Sequence, residues 1–227
     1  MTTNNSQLTS KLLMAGIIAG PFFIIVALLQ AVTRAGFDLI RHPASLLSLG
    51  DLGWIQIANF IITGLFFIAC AIGLAQAPMS GIGYKWVPRL LIVLGIGLIM
   101  GGVFTADPAL GFPPGAPEGV PATMSWHSMI HGFAPLIGFT AHVAVLFILA
   151  RRFGKQGERG LMWITIIMGV VMFGLANVPN FTADWENGQF NFLPLWAAVL
   201  IGYTFTAFVF TKLKTEWQAG AWSLNGK

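Results

Sequence analysis

Charge and cysteine are both scarce in this chain, and each shortage removes a class of explanation. Charged residues make up 9% of the 227, and no stretch is polar and long enough to fold as a separate soluble domain. The single cysteine, Cys70, excludes an intramolecular disulfide and a cysteine metal cluster, and it reads as a small packing residue. No P-loop, no GxGxxG opening a soluble helix, no GxSxG and no HExxH occur, so ATPase, dinucleotide-enzyme, serine-hydrolase and zincin chemistry have no motif to stand on. Only four histidines are present, and none pairs with His142 at matching depth, which argues against a b-type haem.

What the chain has instead is apolar length. Hydrophobic residues are 56% of it, gathered into runs at 12–32, 54–74, 86–106, 126–150, 161–178 and 192–211. Each is close to the ~20 residues that a helix needs to cross ~30 Å of hydrocarbon. The fold class expected is therefore all-α: one polytopic bundle of six transmembrane helices (12–212) between short tails (1–11 and 213–227). The first run is longer than the ~7–15 residues of a signal-peptide core and lacks a small-x-small cleavage site, so it is expected to stay as helix one.

Cations choose the orientation. With a cytoplasmic amino terminus, the inner segments carry Lys11, Lys85, Arg89, Arg151, Arg152, Lys155, Arg159, Lys212, Lys214 and Lys227, and the outer ones only Arg34 and Arg41. The positive-inside rule then predicts both termini in the cytoplasm of a cell whose inner (plasma) membrane the chain spans. Asp38, Asp51, Asp107, Glu118, Asp184 and Glu186 all fall outside, so the net charge of +4 averages a basic face with an acidic one. It does not indicate nucleic-acid binding.

The outer connections, 33–53, 107–125 and 179–191, are the long ones, and loops beyond ~12 residues in a compact domain are usually functional or disordered. Prolines and glycines stiffen 107–121 and keep it from helix. Segment 33–53 mixes Leu39, Ile40, Leu46, Leu47 and Leu49 with charges, which suits a re-entrant or surface-lying amphipathic piece. No internal repeat is visible, which weighs against an inverted-repeat transporter. Gly97 and Gly101 allow two helices to approach closely, within the bundle sooner than between copies. Pro21 and Pro135 are expected to bend helices one and four. Trp54, Trp86, Trp126, Trp185 and Trp196 fall near the interfaces and read as an anchoring belt.

Polar groups collect at the outer helix ends: Arg41, His42 and Ser45 after helix one, Asp51 before helix two, Asp107 at the exit of helix three, and Ser125, His127 and His131 at the start of helix four. Arg41, in a greasy segment, needs an anionic partner. Asp107, Asp51 and Asp38 are the protein candidates, and a lipid phosphate is the external one. Asp107 can alternatively accept bonds from loop amides. His127 and His131, one turn apart on one helix face, could share a metal, with His42 or Asp107 as third ligand; zinc is the ion such ligands suit. The competing reading gives both histidines hydrogen bonds between helices or to lipid headgroups. His142 lies about 16 Å deeper by helical rise, with Asn59, Gln56, Thr63 or Thr165 as expected partners.

The stretch Phe37 to Ser45, then Leu49-Gly50-Asp51-Leu52-Gly53-Trp54 with Asn59-Phe60, Gly102-Val103-Phe104 with Asp107-Pro108, His131-Gly132 and Ala150-Arg151-Arg152-Phe153 resembles the bacterial membrane protein family catalogued as domain of unknown function 998. The resemblance covers roughly 15–212 in matching order. It implies a six-helix integral membrane protein of no stated activity, and it directs interest to Arg41, His42, Pro43, Ser45, Asp107, Pro108 and His131. Three functions stay open. One is an outer-facing pocket with Arg41, His42, Ser45, Asp107 and His131 that binds a lipid headgroup or small polar ligand, for transport or otherwise. The second is a metal-dependent hydrolase of lipid amides or esters, with His127, His131 and His42 as ligands. The third is a structural subunit of a membrane complex, which uses the same residues only as staples between loops; membrane lipids are expected partners in every case.

Overall fold

A computed structural model of the chain describes residues 3–77, 81–184 and 189–224. Trp185, Glu186 and Lys227, which entered the charge and belt expectations, lie outside the described residues. Six long helices follow one another: α1 (Thr3–Thr33), α2 (Gly53–Gln76), α3 (Trp86–Val103), α4 (Trp126–Lys155), α5 (Arg159–Thr182) and α6 (Leu193–Gln218), with a last helical turn, α7 (Ala221–Leu224). All six are long and apolar enough to cross a membrane. Helix is the form these runs must take, because hydrocarbon offers backbone groups no partner outside their own segment. Among the described residues two isolated bridges occur and no strand. Helix α1 begins within the segment expected to be a tail, and α3 stops short of the apolar run's end at 106, where Asp107-Pro108 disfavours further helix.

Each helix packs chiefly on its two neighbours in sequence, and α6 closes on α1, so the six form a ring. Neighbours run in opposite directions: near one end of the ring Gly73 of α2 meets Leu12 of α1, and near the other Gly102 of α3 meets Ile57 of α2. The end bearing the three long connections is here the loop face, and the other the terminal face. Helices α2 and α3 touch backbone to backbone. A Cβ on Gly95 would lie 2.6 Å from the carbonyl oxygen of Gly64, and one on Gly64 2.5 Å from that of Gly95. The Gly97 side of α3 faces α4: a Cβ there would lie 3.1 Å from the Gly138 nitrogen and 3.2 Å from the Ala134 carbonyl oxygen.

Helices α1 and α2 are joined by a buried polar seam as well as by apolar contact. Gln30 Nε2 donates to Gln56 Oε1 (2.8 Å), and Asn59 Nδ2 donates to the Phe23 carbonyl and to Gln56 Oε1, both at 3.1 Å. Gln56, Asn59 and Thr63 are therefore engaged here and not with His142. At the terminal face Lys212 bridges Glu158 and Glu216 at 2.9 Å each, and the Arg152 guanidinium lies 5.8 Å from the centre of the Trp222 ring. This ties the ends of α4, α5 and α6 together.

The connection between α1 and α2 folds in against the helices and the other loops. Its centre is a 3₁₀ turn, Ala44–Ser48, with Leu46 and Leu47 buried. Arg34 donates to the carbonyls of Leu47 (3.0 Å) and Leu49 (2.5 Å), and its guanidinium lies 5.2 Å from the centre of the Phe112 ring. Leu46, Ala109, Leu110 and Phe112, flanked by Phe37, Phe190 and Phe192, make a small second core. Three loops thereby become one cap over the ring.

Candidate functional site: a cavity beneath the loop cap

His42 is the hub of the cap. Its Nδ1 accepts the Asp38 amide (2.9 Å), so Nε2 carries the proton and donates to the Leu110 carbonyl at 2.9 Å. The ring is buried among Phe37 and Phe112. Burial lowers its proton affinity below that of a free histidine. The His42 carbonyl accepts the indole N–H of Trp196 at 3.0 Å, which corrects the belt assignment of that tryptophan: it faces inward and holds the cap to α6. Trp54, Trp86 and Trp126 stay exposed at helix ends, as a belt requires.

Arg41 pairs with Glu118, at 2.8 Å to the carboxylate and 2.6 Å to its backbone carbonyl, and not with Asp107, Asp51 or Asp38. The longer reach across to 107–121 wins because that loop folds back over 33–53. Asp107 takes the alternative role of capping the start of α4. It accepts the Ser125 amide at 2.7 Å, while Ser125 Oγ accepts the Ser128 amide at 3.1 Å. Hydrogen bonds from the Ser125 hydroxyl and amide hold the Asp107 carboxyl below the usual carboxylate range.

Beneath the cap, at the loop-face end of the ring, lies a cavity of about 450 Å³, within the ~300–1,000 Å³ typical of ligand pockets. All six helices line it, with Phe23, Phe60, Leu94, Phe139, Phe173 and Val199 among its apolar walls and Pro43, Ala44 and Ser45 in its roof. Among the described residues its polar lining is uncharged: Ser45, His131, Thr140, His142, Asn177, Asn180, Trp196 and Tyr203. Helices α4 and α5 share buried contacts through Val143, Leu146 and Met172. Nearer the loop face, Leu136 (62% exposed) and Phe173 (48%) belong both to the cavity wall and to the outer surface of the ring. A Cβ on Gly132, beside them in the lining, would meet nothing within 4 Å. The cavity thus reaches the lipid-facing side between α4 and α5.

Of the residues singled out in the sequence, Ser45 and His131 line this cavity, whereas Arg41, His42 and Asp107 hold the loops above it. His131 Nδ1 lies 2.7 Å from the Phe104 carbonyl at the end of α3. Since a carbonyl can only accept, Nδ1 carries the proton and Nε2 holds a lone pair. The Gly101 backbone, one turn earlier on α3, also lies within hydrogen-bonding reach of the ring. His127 instead packs its ring against Trp126 and Phe104. His42, an expected zinc ligand, uses both nitrogens within the cap, and no group of three or more His, Cys, Asp or Glu suited to a metal occurs among the described residues.

His142 bonds Thr206 Oγ1 at 2.6 Å, and neither Asn59, Gln56, Thr63 nor Thr165 takes that place. Its ring and that of Tyr203, 5.6 Å apart, also line the cavity. Sequence reasoning missed Asn177, Asn180 and Tyr203. Two amides three residues apart at the end of an apolar run were the available signal, because polar groups at such depth face a bundle interior or cavity.

No curated protein and no solved structure matches the chain. The profile of one family does, over residues 17–213, from the middle of α1 to near the end of α6, which takes in the cap and the cavity. Long enough to settle membership, that match places the chain in the family described as protein of unknown function, DUF998.

Proposed function

We propose that the protein binds a membrane amphiphile in the cavity beneath the loop cap, with the chain of the ligand among the apolar walls and its polar end near His131, Ser45, Asn177 and Asn180. The observation that carries this is the cavity's edge between α4 and α5, which gives a lipid in the surrounding leaflet a sideways route to the hydrogen-bonding groups that line it. The pocket differs from one built on Arg41 and Asp107, since both charges serve the cap. The protein as purified in mild detergent is expected to retain lipid in native mass spectrometry. Gly132→Trp, whose side chain has open space beside the cavity edge, should remain folded and retain at least several-fold less. Equal retention by a folded Gly132→Trp protein would defeat the proposal.

The cation asymmetry supports a loop face that is outside the cell, with both termini in the cytoplasm of a plasma membrane. In a Cys70→Ala background, cysteines replacing Glu118 and Asp184 are expected to react with an impermeant maleimide on intact cells, while one replacing Lys155 reacts only after lysis. The reverse pattern would place the cavity in the inner leaflet.

A further inference from the structure

Resting on that binding function, we infer that the ligand is an uncharged lipid alcohol whose hydroxyl donates to His131 Nε2. Two independent features of the site select this chemistry. The first is charge. Among the described residues, no Lys, Arg, Asp or Glu lines the cavity. The loop face has two cations, and both are engaged elsewhere: Arg34 with the carbonyls of Leu47 and Leu49, Arg41 with Glu118. A phosphate or carboxylate drawn into the cavity would find no counter-charge, and an unpaired charge at that depth costs several kcal/mol. Phospholipid headgroups are thereby disfavoured as the buried end, whatever their tails.

The second feature is hydrogen-bond polarity. Because Nδ1 is committed as donor to the Phe104 carbonyl, the neutral ring offers its other nitrogen only as an acceptor. An ester or ketone oxygen brings no proton to it. A hydroxyl does, and still has lone pairs for the Asn177 or Asn180 amides in the same lining. Lipid esters, ketones and phosphates therefore fit less well than a diacylglycerol, a polyprenol or another long-chain alcohol. The open side between α4 and α5 leaves room for tails to extend into the bilayer, so the cavity need contain only the polar end and the chain next to it.

Asparagine at position 131 makes a discriminating variant: its side-chain amide can replace the Nδ1–H bond to Phe104, yet it has no atom where Nε2 stands. Full-length wild-type and His131→Asn protein, delipidated and placed in zwitterionic nanodiscs, would be titrated with three probes sharing dioleoyl tails. They are dioleoylglycerol, its 3-O-methyl ether and dioleoyl phosphatidate. Wild type is expected to bind the alcohol at least ten-fold more tightly than the ether or the phosphatidate. His131→Asn, with unchanged thermal stability, should bind alcohol and ether alike. Tighter binding of phosphatidate, or no difference between alcohol and ether in wild type, overturns the ligand class while leaving a lipid-binding cavity. Failure of all three probes to bind overturns the binding function itself.

Discussion

Gly95→Leu is expected to abolish recovery of monodisperse protein in detergent, and Gly95→Ala to lower stability by about 2–3 kcal/mol. At this crossing even a methyl group is directed at the Gly64 carbonyl oxygen, 2.6 Å away, and at Ile68 Cγ1 at 2.7 Å. A backbone atom cannot rotate aside as a side chain can, so α2 and α3 must part along their length, and the ring with them. Gly174 supplies the control, because a Cβ there meets nothing within 4 Å. Fluorescence-detected size exclusion after a heating series reports both variants; equal melting of Gly95→Ala and Gly174→Ala would show that the helices do not touch at Gly95.

Removing His42 should open the cap. In His42→Ala the Leu110 carbonyl and the Asp38 amide lose their buried partner, and a ring-sized gap appears between Phe37 and Phe112, for a loss of roughly 2–4 kcal/mol. The same geometry makes wild-type stability depend on pH. Protonation would turn Nδ1 into a second donor facing the Asp38 N–H, and burial lowers the ring's affinity for a proton in the folded state. An unfolded histidine titrates near ~6.5. The unfolded chain therefore takes up the proton first, and the stabilisation from His42 is complete above about pH 6.5 and lost as pH falls through the folded value. Melting temperatures measured from pH 8 to pH 5 should drop for wild type and fall less steeply for His42→Gln; parallel curves would refute the latch.

Six spans and the starting places of most helices were legible because hydrocarbon leaves an apolar run of ~20 residues few alternatives. The loop-face constellation was legible as a set of residues but not as a set of partners. Arg41 met Glu118 and not Asp107 because pairing across loops depends on how 107–121 folds back, which span lengths do not encode. His42 carried the right mark, a histidine beside proline in a greasy loop, but its two ring nitrogens were claimed by backbone groups that any sequence contains. The cavity was hidden for a related reason. Its polar groups are divided among the cap, α4, α5 and α6, so no short segment displays them all, and only the ring order makes His131 and Asn177 neighbours of one space.

That ring order also bears on how the chain is made. Every extensive interface but one joins helices adjacent in sequence, so most contacts can form as each hairpin leaves the translocon, with little of the search that distant pairings impose. The exception is α6 against α1, where Tyr203 packs on Phe23 with ring centres 5.5 Å apart. Until α6 is inserted, Phe23 lacks that ring, the Trp196 N–H is not yet there to hold the cap, and the nascent barrel gapes toward lipid along its first and fifth members. Quality-control proteases that survey unassembled spans would meet their target in that unfinished seam, and completion of synthesis is the event that conceals it.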